Sequence, residues 1–351
     1  MLNFPRLLVL TVLTLISFQV QGVQLKIATL TPEGSGWMVA MRAGAKEIKE
    51  RTEGRVIVKL YGGGTQGSDK TVLRKMRAGQ LQGATFTGSG LTDRFSTIQL
   101  YSMPMVFKSL DEVDYVRERM DAKLMEGMKS AGLISFGIVE GGFARMMSNF
   151  PVRSPDDLSG KKVWVPEGDI TSYGAMKAMG LSPVALPLTD VMIGLQTGLI
   201  EVVTNSAVGA IVLQWHTRVK YVMELPLVYV IGFLVIEEKA FNRLTPGDQA
   251  IVSEVMGRIY KDFDRLNRVD DEDASRALLE QGIIAIEPYQ GHIDEWRRKV
   301  MESNRELAEQ GEVDVNLYHE MIAHIEEYRA AKQSAASSQS ATADAGVDVD
   351  R

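Results

Sequence analysis

Two short motifs in this chain resemble signatures of cofactor or metal chemistry, and neither has the full pattern that its chemistry needs. The segment GGGTQG puts Gly62, Gly64 and Gly67 in the GxGxxG spacing of dinucleotide-binding loops, between a predicted strand and a predicted helix. The next strand ends in TFTGSG, with no acid to bind a ribose hydroxyl. In HEMIAH, His319 and His324 are five residues apart, or about 140° around a helix, so they cannot share a metal. We interpret the glycines as a structural turn and the histidines as solvated helix residues.

The rest of the sequence contains few of the residues and motifs that catalysis requires. The chain has no cysteine, which excludes a cysteine nucleophile, cysteine-ligated zinc and iron–sulfur centres. A GxSxG segment for a serine hydrolase is absent, and the acidic run from Asp270 to Asp273 is typical of a solvated helix face. We predict no catalytic residue, no resident metal and no cofactor. Two alternatives stay open: an exported nicotinamide oxidoreductase built on GGGTQG, and a metal ion that bridges the protein and a ligand.

The first 22 residues have the features of a secretory signal peptide. Arg6 precedes an apolar run from Leu7 to Phe18 that is too short to span a bilayer comfortably, and Val20 and Gly22 suit a cleavage site. An uncleaved membrane anchor is the alternative. Loss of Arg6 takes the formal net charge from −6 to −7, which argues against a nucleic-acid partner. The chain is long enough to bury a sufficient core without disulfides, so export without cysteine is feasible.

Strands and helices alternate along the chain, which predicts an α/β fold with a largely parallel sheet. Residues 72–90 align without a gap on residues 191–209, and each segment reads as a helix stopped by glycine, a strand and a loop of small residues. The similarity predicts two lobes of the same design whose strand ends face each other across a cleft. Chance similarity between two such units is the alternative.

Helical spacing of apolar residues continues from Thr245 to about Gln281, without an internal proline. Such a helix is ~50 Å long at 1.5 Å per residue, longer than one lobe needs, so it is expected to span both lobes. A break in RVDDEDAS is the alternative, because Asp273 or Ser275 could cap a new helix. The Ser- and Ala-rich residues 332–351 lack apolar periodicity and predict a disordered tail.

Several loop and strand ends carry side chains that could bind a ligand. Arginine offers a planar fork for a carboxylate, tryptophan a flat apolar wall, and the first N–H groups of helices favour anions. Trp164 alternates with Val163 and Val165 on a predicted strand, so it faces the opposite side from the two valines. For Trp37 and Trp215, core packing is the alternative. The candidate ligand-binding residues are Arg145, Trp164, Asn205, Glu33, Trp37, Ser89, Glu167 and Trp215.

Four segments together carry a family resemblance: IATLTPEGSGW, SPDDLSGKKVWVP, LSPVALPLTDVMIGLQTGLIE and LTPGDQAIV. In order and in amino-acid sequence, these segments resemble those of the solute-binding proteins of tripartite ATP-independent periplasmic (TRAP) transporters, the dicarboxylate-binding DctP-type family. The resemblance runs from about Leu25 to Tyr328. It implies two α/β lobes joined by crossing strands and a long helix, a location in the periplasm, and delivery of a ligand to a small and a large integral membrane subunit. The family leans towards monomers.

The resemblance also marks a departure at the ligand site. In most of the family the strand that holds Trp164 carries an arginine that binds the substrate carboxylate, and an indole cannot replace that contact. The resemblance implies that an earlier family arginine is retained as Arg145 and a family asparagine as Asn205, although Glu201 and Val202 replace an Asp-Gly pair before it. A ring or planar group could stack on Trp164. With Glu33, Glu167 and Asp169 nearby in sequence, the ligand could be partly cationic.

These observations combine into one prediction of fold and function. The fold is a two-lobed periplasmic binding protein, with lobe I formed by residues 23–145 and 232–272 and lobe II by residues 146–231 and 273–331. The protein is expected to capture a small organic acid, or a related small solute, in the cleft between the lobes. The alternative is an extracellular sensor that presents its closed form to a receptor.

Overall fold

The computed structural model describes residues 22–345. The first 21 residues of the predicted signal peptide and the last six residues of the predicted tail lie outside the described residues. Within the described part, no helix has the length and apolar character needed to cross a membrane.

The described residues form eleven strands, which alternate with helices as predicted except where β4 is followed by β5 and β9 by β10. Their bounds are β1 Val23–Ala28, β2 Val56–Tyr61, β3 Gly83–Thr87, β4 Leu133–Ser135, β5 Val139–Ser148, β6 Val163–Pro166, β7 Pro183–Leu186, β8 Val202–Asn205, β9 Tyr221–Met223, β10 Val228–Glu237 and β11 Ile284–Ile286. The helices are α1 Gly36–Arg51, α2 Asp69–Arg77, α3 Leu110–Ser130, α4 Ile170–Ala178, α5 Val191–Thr197, α6 Ala207–Val212, α7 Glu238–Phe241, α8 Pro246–Glu280, α9 Gln290–Glu309 and α10 Val315–Ala345.

One sheet runs through the described molecule in the order β2-β1-β3-β10-β5-β8-β6-β7. Parallel strands β1, β2 and β3 form the sheet of lobe I, and parallel strands β6, β7 and β8 form that of lobe II. The long strands β5 and β10 lie between them, antiparallel to each other and to the strands of their lobes. Because each of these two strands pairs with both its partner and one lobe, together they form the connection on which the lobes can move.

Helix α8 crosses from one lobe to the other, as the sequence predicts. Thr245 caps its start by accepting a hydrogen bond from the N–H of Asp248, and Gln281 follows its last residue. Val252, Val255 and neighbouring apolar residues of the helix pack in the lobe I core, whereas Ala274 and Leu278 pack in lobe II. The helix continues through RVDDEDAS without a break.

The C-terminal helix α10 packs on lobe I, although the sequence assigns residues up to 331 to lobe II. Tyr318, Met321 and Ile325 form an apolar stripe that is buried against α3 in the lobe I core. Arg329 adds an ion pair with the buried carboxylate of Glu112, at 2.9 Å. The helix then extends to Ala345, into the segment for which the sequence predicts disorder. Alanine is the strongest helix former, which is consistent with this extension.

Candidate functional site

The two similar segments form matching edges of the gap between the lobes. In lobe I, α2 ends before Gly79, β3 follows, and the loop with Ser89 comes next; in lobe II, α5 ends at Gly198, followed by β8 and the loop with Asn205. Gly79 and Gly198 both adopt the left-handed conformation, with φ of 73° and 70°. Glycine adopts it without steric cost, which explains why glycine ends both helices. The carboxyl ends of β3 and β8 therefore face the same gap.

A cavity of about 730 Å³ occupies this gap between the lobes. The lobes touch beside it: Lys70 of α2 pairs with Glu167 of lobe II at 3.0 Å, and Gln99 donates to Asp169 at 3.3 Å. Gly168, between those two acids, has a φ of 87° and would bring a Cβ within 3.2 Å of the Ser89 carbonyl oxygen. These contacts connect the two lobes directly beside the cavity.

Trp164 lies in the wall of the cavity and is itself only 3% exposed. Its Nε1 donates a hydrogen bond to the carbonyl oxygen of Leu186 at 3.0 Å, so the indole N–H is already used. Val163 and Val165 pack in a different core cluster from Trp164, as the predicted alternation requires. The indole therefore offers the ligand an apolar surface rather than a hydrogen-bond donor.

Four more of the candidate residues also line the cavity: Trp37, Ser89, Glu167 and Asn205. Trp37 stacks on Phe263 of α8 with ring centroids 6.2 Å apart. Asn205 ends β8, and its Oδ1 accepts a hydrogen bond from the N–H of Ser206 at 2.9 Å. Each residue stands where a strand ends or a helix begins, which is the position that the sequence predicts for a ligand site in α/β folds.

Arg145 does not line the cavity, which corrects its expected placement opposite a ligand carboxylate. Its neighbours Ala144 and Met146 face the cavity, and side chains alternate along a strand, so Arg145 faces the other side of β5. There its guanidinium lies 3.5 Å from Glu224 and 3.5 Å from Ser275 of α8. The positions of β5 that meet the cavity on either side of Arg145 are held by Ala144 and Met146.

Two further candidates also lie away from the cavity. Glu33 is exposed and pairs with Arg42 of α1 at 2.5 Å. Trp215 is 1% exposed in the lobe II core, where it packs edge-on behind Trp164 with ring centroids 5.2 Å apart. The core-packing alternative therefore holds for Trp215, and its contribution to the cavity is to support the indole of Trp164.

The charged residues in the cavity wall are mostly acidic. Among the described residues that line it, Lys70 is the one basic side chain, and no arginine or histidine is present. The acids are Asp69, Asp93, Glu140, Glu167, Asp169 and Asp270. Of these, Glu140 is neutralised by Arg268 at 2.7 Å, Glu167 pairs with Lys70, and Asp169 caps α4.

Asp69 differs from those paired acids, and the sequence analysis did not identify it as a candidate site residue. It is the first residue of α2, beside Gly90, where a Cβ would lie 2.6 Å from its Oδ2. Among the described residues its carboxylate has no hydrogen-bond or ion-pair partner. Burial, with Glu167 close by, raises the pKa of Asp69 to about 6. Its position after the GGGTQG turn, where a helix begins at the carboxyl edge of the sheet, was the signal that could have identified it.

One end of the cavity extends into the lobe II core. We call this extension the methionine branch; it is lined by Met105, Met146, Leu158, Met176, Trp296 and Val300. Trp296 is 3% exposed, and its indole N–H has no acceptor in the part of the chain that the structure describes. Methionine side chains adapt to varied shapes, so this branch suits an apolar group of a ligand. Its residues come from the loop before α3, from β5, from the turn before β6, from α4 and from α9, which no local sequence pattern connects.

A family model described as "Bacterial extracellular solute-binding protein, family 7" (DctP) matches residues 27–310. The chain belongs to this family. A curated relative, the C4-dicarboxylate-binding periplasmic protein DctP of Rhodobacter capsulatus, is 24% identical over 259 residues, which cover 72% of this chain and 74% of the relative. The family of the resemblance is thereby confirmed, and with it a solute-binding function in transport.

Solved structures of other solute-binding proteins share the fold. A TRAP periplasmic solute-binding protein from Xanthobacter autotrophicus with bound β-D-galacturonate gives a TM-score of 0.77 at 19% identity, over 86% of this chain and 99% of that one. The sugar acid binding protein DctPAm from Advenella mimigardefordensis, in complex with galactonate, gives 0.79 at 17% identity, over 88% and 99%. The predicted two-lobed fold is confirmed.

Proposed function

We propose that the protein is the periplasmic solute receptor of a TRAP transporter, exported by its signal peptide and acting as a monomer. It captures one small organic solute between its lobes and delivers it to a small and a large integral membrane subunit. The solute is bound and released without chemical conversion. The observation that carries this proposal is the cavity between two lobes that are joined by crossing strands and by α8.

Lobe closure is the step that links binding to delivery. The ion pair of Lys70 with Glu167 and the hydrogen bond of Gln99 to Asp169 join opposite lobes beside the cavity. A solute that contacts both lobes favours this closed state, because it gains contacts there that the open state does not offer. The membrane subunits can then distinguish loaded receptor from empty receptor by the relative position of the lobes.

Organic acids are the first class to test, because the relatives named above bind galacturonate and galactonate. In this cavity a carboxylate would rely on donors other than arginine: the hydroxyls of Thr87 and Ser89, the amide of Asn205, and backbone N–H groups. Such contacts are weaker than a bidentate arginine pair, so a simple dicarboxylate is expected to bind less tightly here than it would beside an arginine.

A thermal-shift screen of the exported chain, residues 23–351, tests the proposal. The library contains mono- and dicarboxylates, sugar acids, aromatic acids, amines and amino acids, each with and without calcium. A bound solute must raise the melting temperature by mass action. Small-angle scattering with a hit should show a smaller radius of gyration as the lobes close. A library without a single hit, or a hit without closure, would contradict the proposal.

A further inference from the structure

The charge of the cavity points to a solute class other than the simple acids. Two positions that line the cavity, Ala144 on β5 and Trp164 on β6, offer no positive charge, and Arg145 faces away. The one lysine of the wall, Lys70, is paired with Glu167 at 3.0 Å. An acid that enters this cavity therefore finds no free cation among the described residues and meets the field of several carboxylates, which opposes its binding.

Asp69 supplies an unpaired negative charge to the same cavity. It is partly buried, it makes no ion pair within the described chain, and the charged group that acts on its pKa is another acid, Glu167. With a pKa raised to about 6, it is still mainly ionised at neutral pH. Unpaired carboxylates with little access to water are costly, and a ligand cation removes that cost.

The methionine branch indicates the shape of the rest of the solute. Met146 and Met176 form an apolar wall that reaches from the crossing strands to α9. An apolar group displaces water from such a surface with a gain in free energy. The buried N–H of Trp296 has no acceptor among the described residues, so an oxygen acceptor carried on the body of the solute would complete this branch, whereas a wholly apolar body would leave the N–H unpaired.

We propose that the solute is an organic cation with an apolar body: its protonated nitrogen pairs with Asp69, and its body occupies the methionine branch. The proposal rests on the proposed function, since it names the class of solute that the receptor captures. A carboxylate elsewhere on the solute is compatible with it. Gly90 makes room for the Asp69 carboxylate. A side chain at position 90 would collide with Oδ2 of Asp69 and force the carboxylate to move.

Three compounds with one body and different head groups test the charge preference: phenethylamine, 3-phenylpropanamide and 3-phenylpropanoate. Binding to residues 23–351 is measured by calorimetry at pH 7.5. We expect the amine to bind at least tenfold more tightly than the neutral amide, as a charge-assisted contact allows, and the acid to bind weakest. If the acid or the amide binds as tightly as the amine, the inference is overturned while the proposed function stands. If no compound of this set or of the wider library binds, both fail.

A variant pair tests the role of Asp69. Asp69→Asn keeps the size of the side chain and should weaken amine binding at least tenfold, while affinity for the neutral amide stays within twofold. The control is Asp262→Asn, which removes one exposed acid of α8 that does not line the cavity. It should leave both affinities unchanged, and circular dichroism should show all three proteins folded. Equal loss of amine and amide affinity in Asp69→Asn would mean that the residue acts structurally, which contradicts the proposal.

Discussion

Replacing Asp69 with asparagine should stabilise the ligand-free protein at neutral pH. The carboxylate lies in the cavity wall without a partner among the described residues, and its pKa is raised from 3.8 to about 6 by burial and by the nearby Glu167. A shift of this size corresponds to about 3 kcal/mol of unfavourable free energy when the group is ionised. Asparagine also loses a favourable contact with the start of α2, worth about 0.3–1 kcal/mol. The expected net gain is about 2 kcal/mol.

The pH dependence of this gain has a definite sign. Well below its unfolded pKa of 3.8, Asp69 is protonated in both the folded and the unfolded protein, so it contributes no pH-dependent penalty. As the pH rises, the unfolded state ionises first, and the folded state loses stability until the pH passes the folded pKa of about 6. The difference in the free energy of unfolding between wild type and variant should therefore increase between pH 4 and 6 and stay constant above pH 6.

Urea unfolding followed by tryptophan fluorescence at pH 4.5 and pH 7.5 measures this difference. The exposed control Asp262→Asn should change the free energy of unfolding by no more than about 0.5 kcal/mol at either pH. An Asp69→Asn protein that is less stable than wild type at pH 7.5 would refute the reasoning. So would a gain of the same size at both pH values, because it could not come from ionisation of the carboxylate.

Three other variants test the site and its supports. Arg145→Ala should leave solute affinity within twofold in calorimetry, because the guanidinium faces away from the cavity; a large loss would restore the role expected from the family pattern. Lys70→Met removes the cross-lobe pair with Glu167; as an exposed pair it should cost less than about 1 kcal/mol in urea unfolding, yet scattering should show a larger open fraction without solute. Gly198→Ala forces alanine to a φ of 70° and should cost about 1 kcal/mol in the same unfolding assay, whereas a neutral effect would contradict the role of this glycine as a helix stop.

The sequence by itself determined the local elements of this protein. Thr245 and Gln281 bound the long helix as predicted, because capping and apolar periodicity act over a few residues. The alternation of Trp164 with its two valine neighbours likewise follows from strand geometry alone. In the two similar segments, the helix ends at glycine and the loops that follow the strands depend only on residues close by in the sequence. A single sequence is therefore enough to reveal them.

Only the tertiary structure decided which of these side chains share a cavity. The sequence shows that Ala144 and Arg145 face opposite sides of β5, but the side that meets lobe I depends on pairing with β8 and β10, far away in the chain. The unpaired state of Asp69 and the packing of Trp215 behind Trp164 depend on contacts of the same kind. The packing of helix α10 on lobe I is a tertiary contact as well. Its apolar stripe packs against α3, and the local sequence of an amphipathic helix does not indicate which helix its apolar stripe will contact.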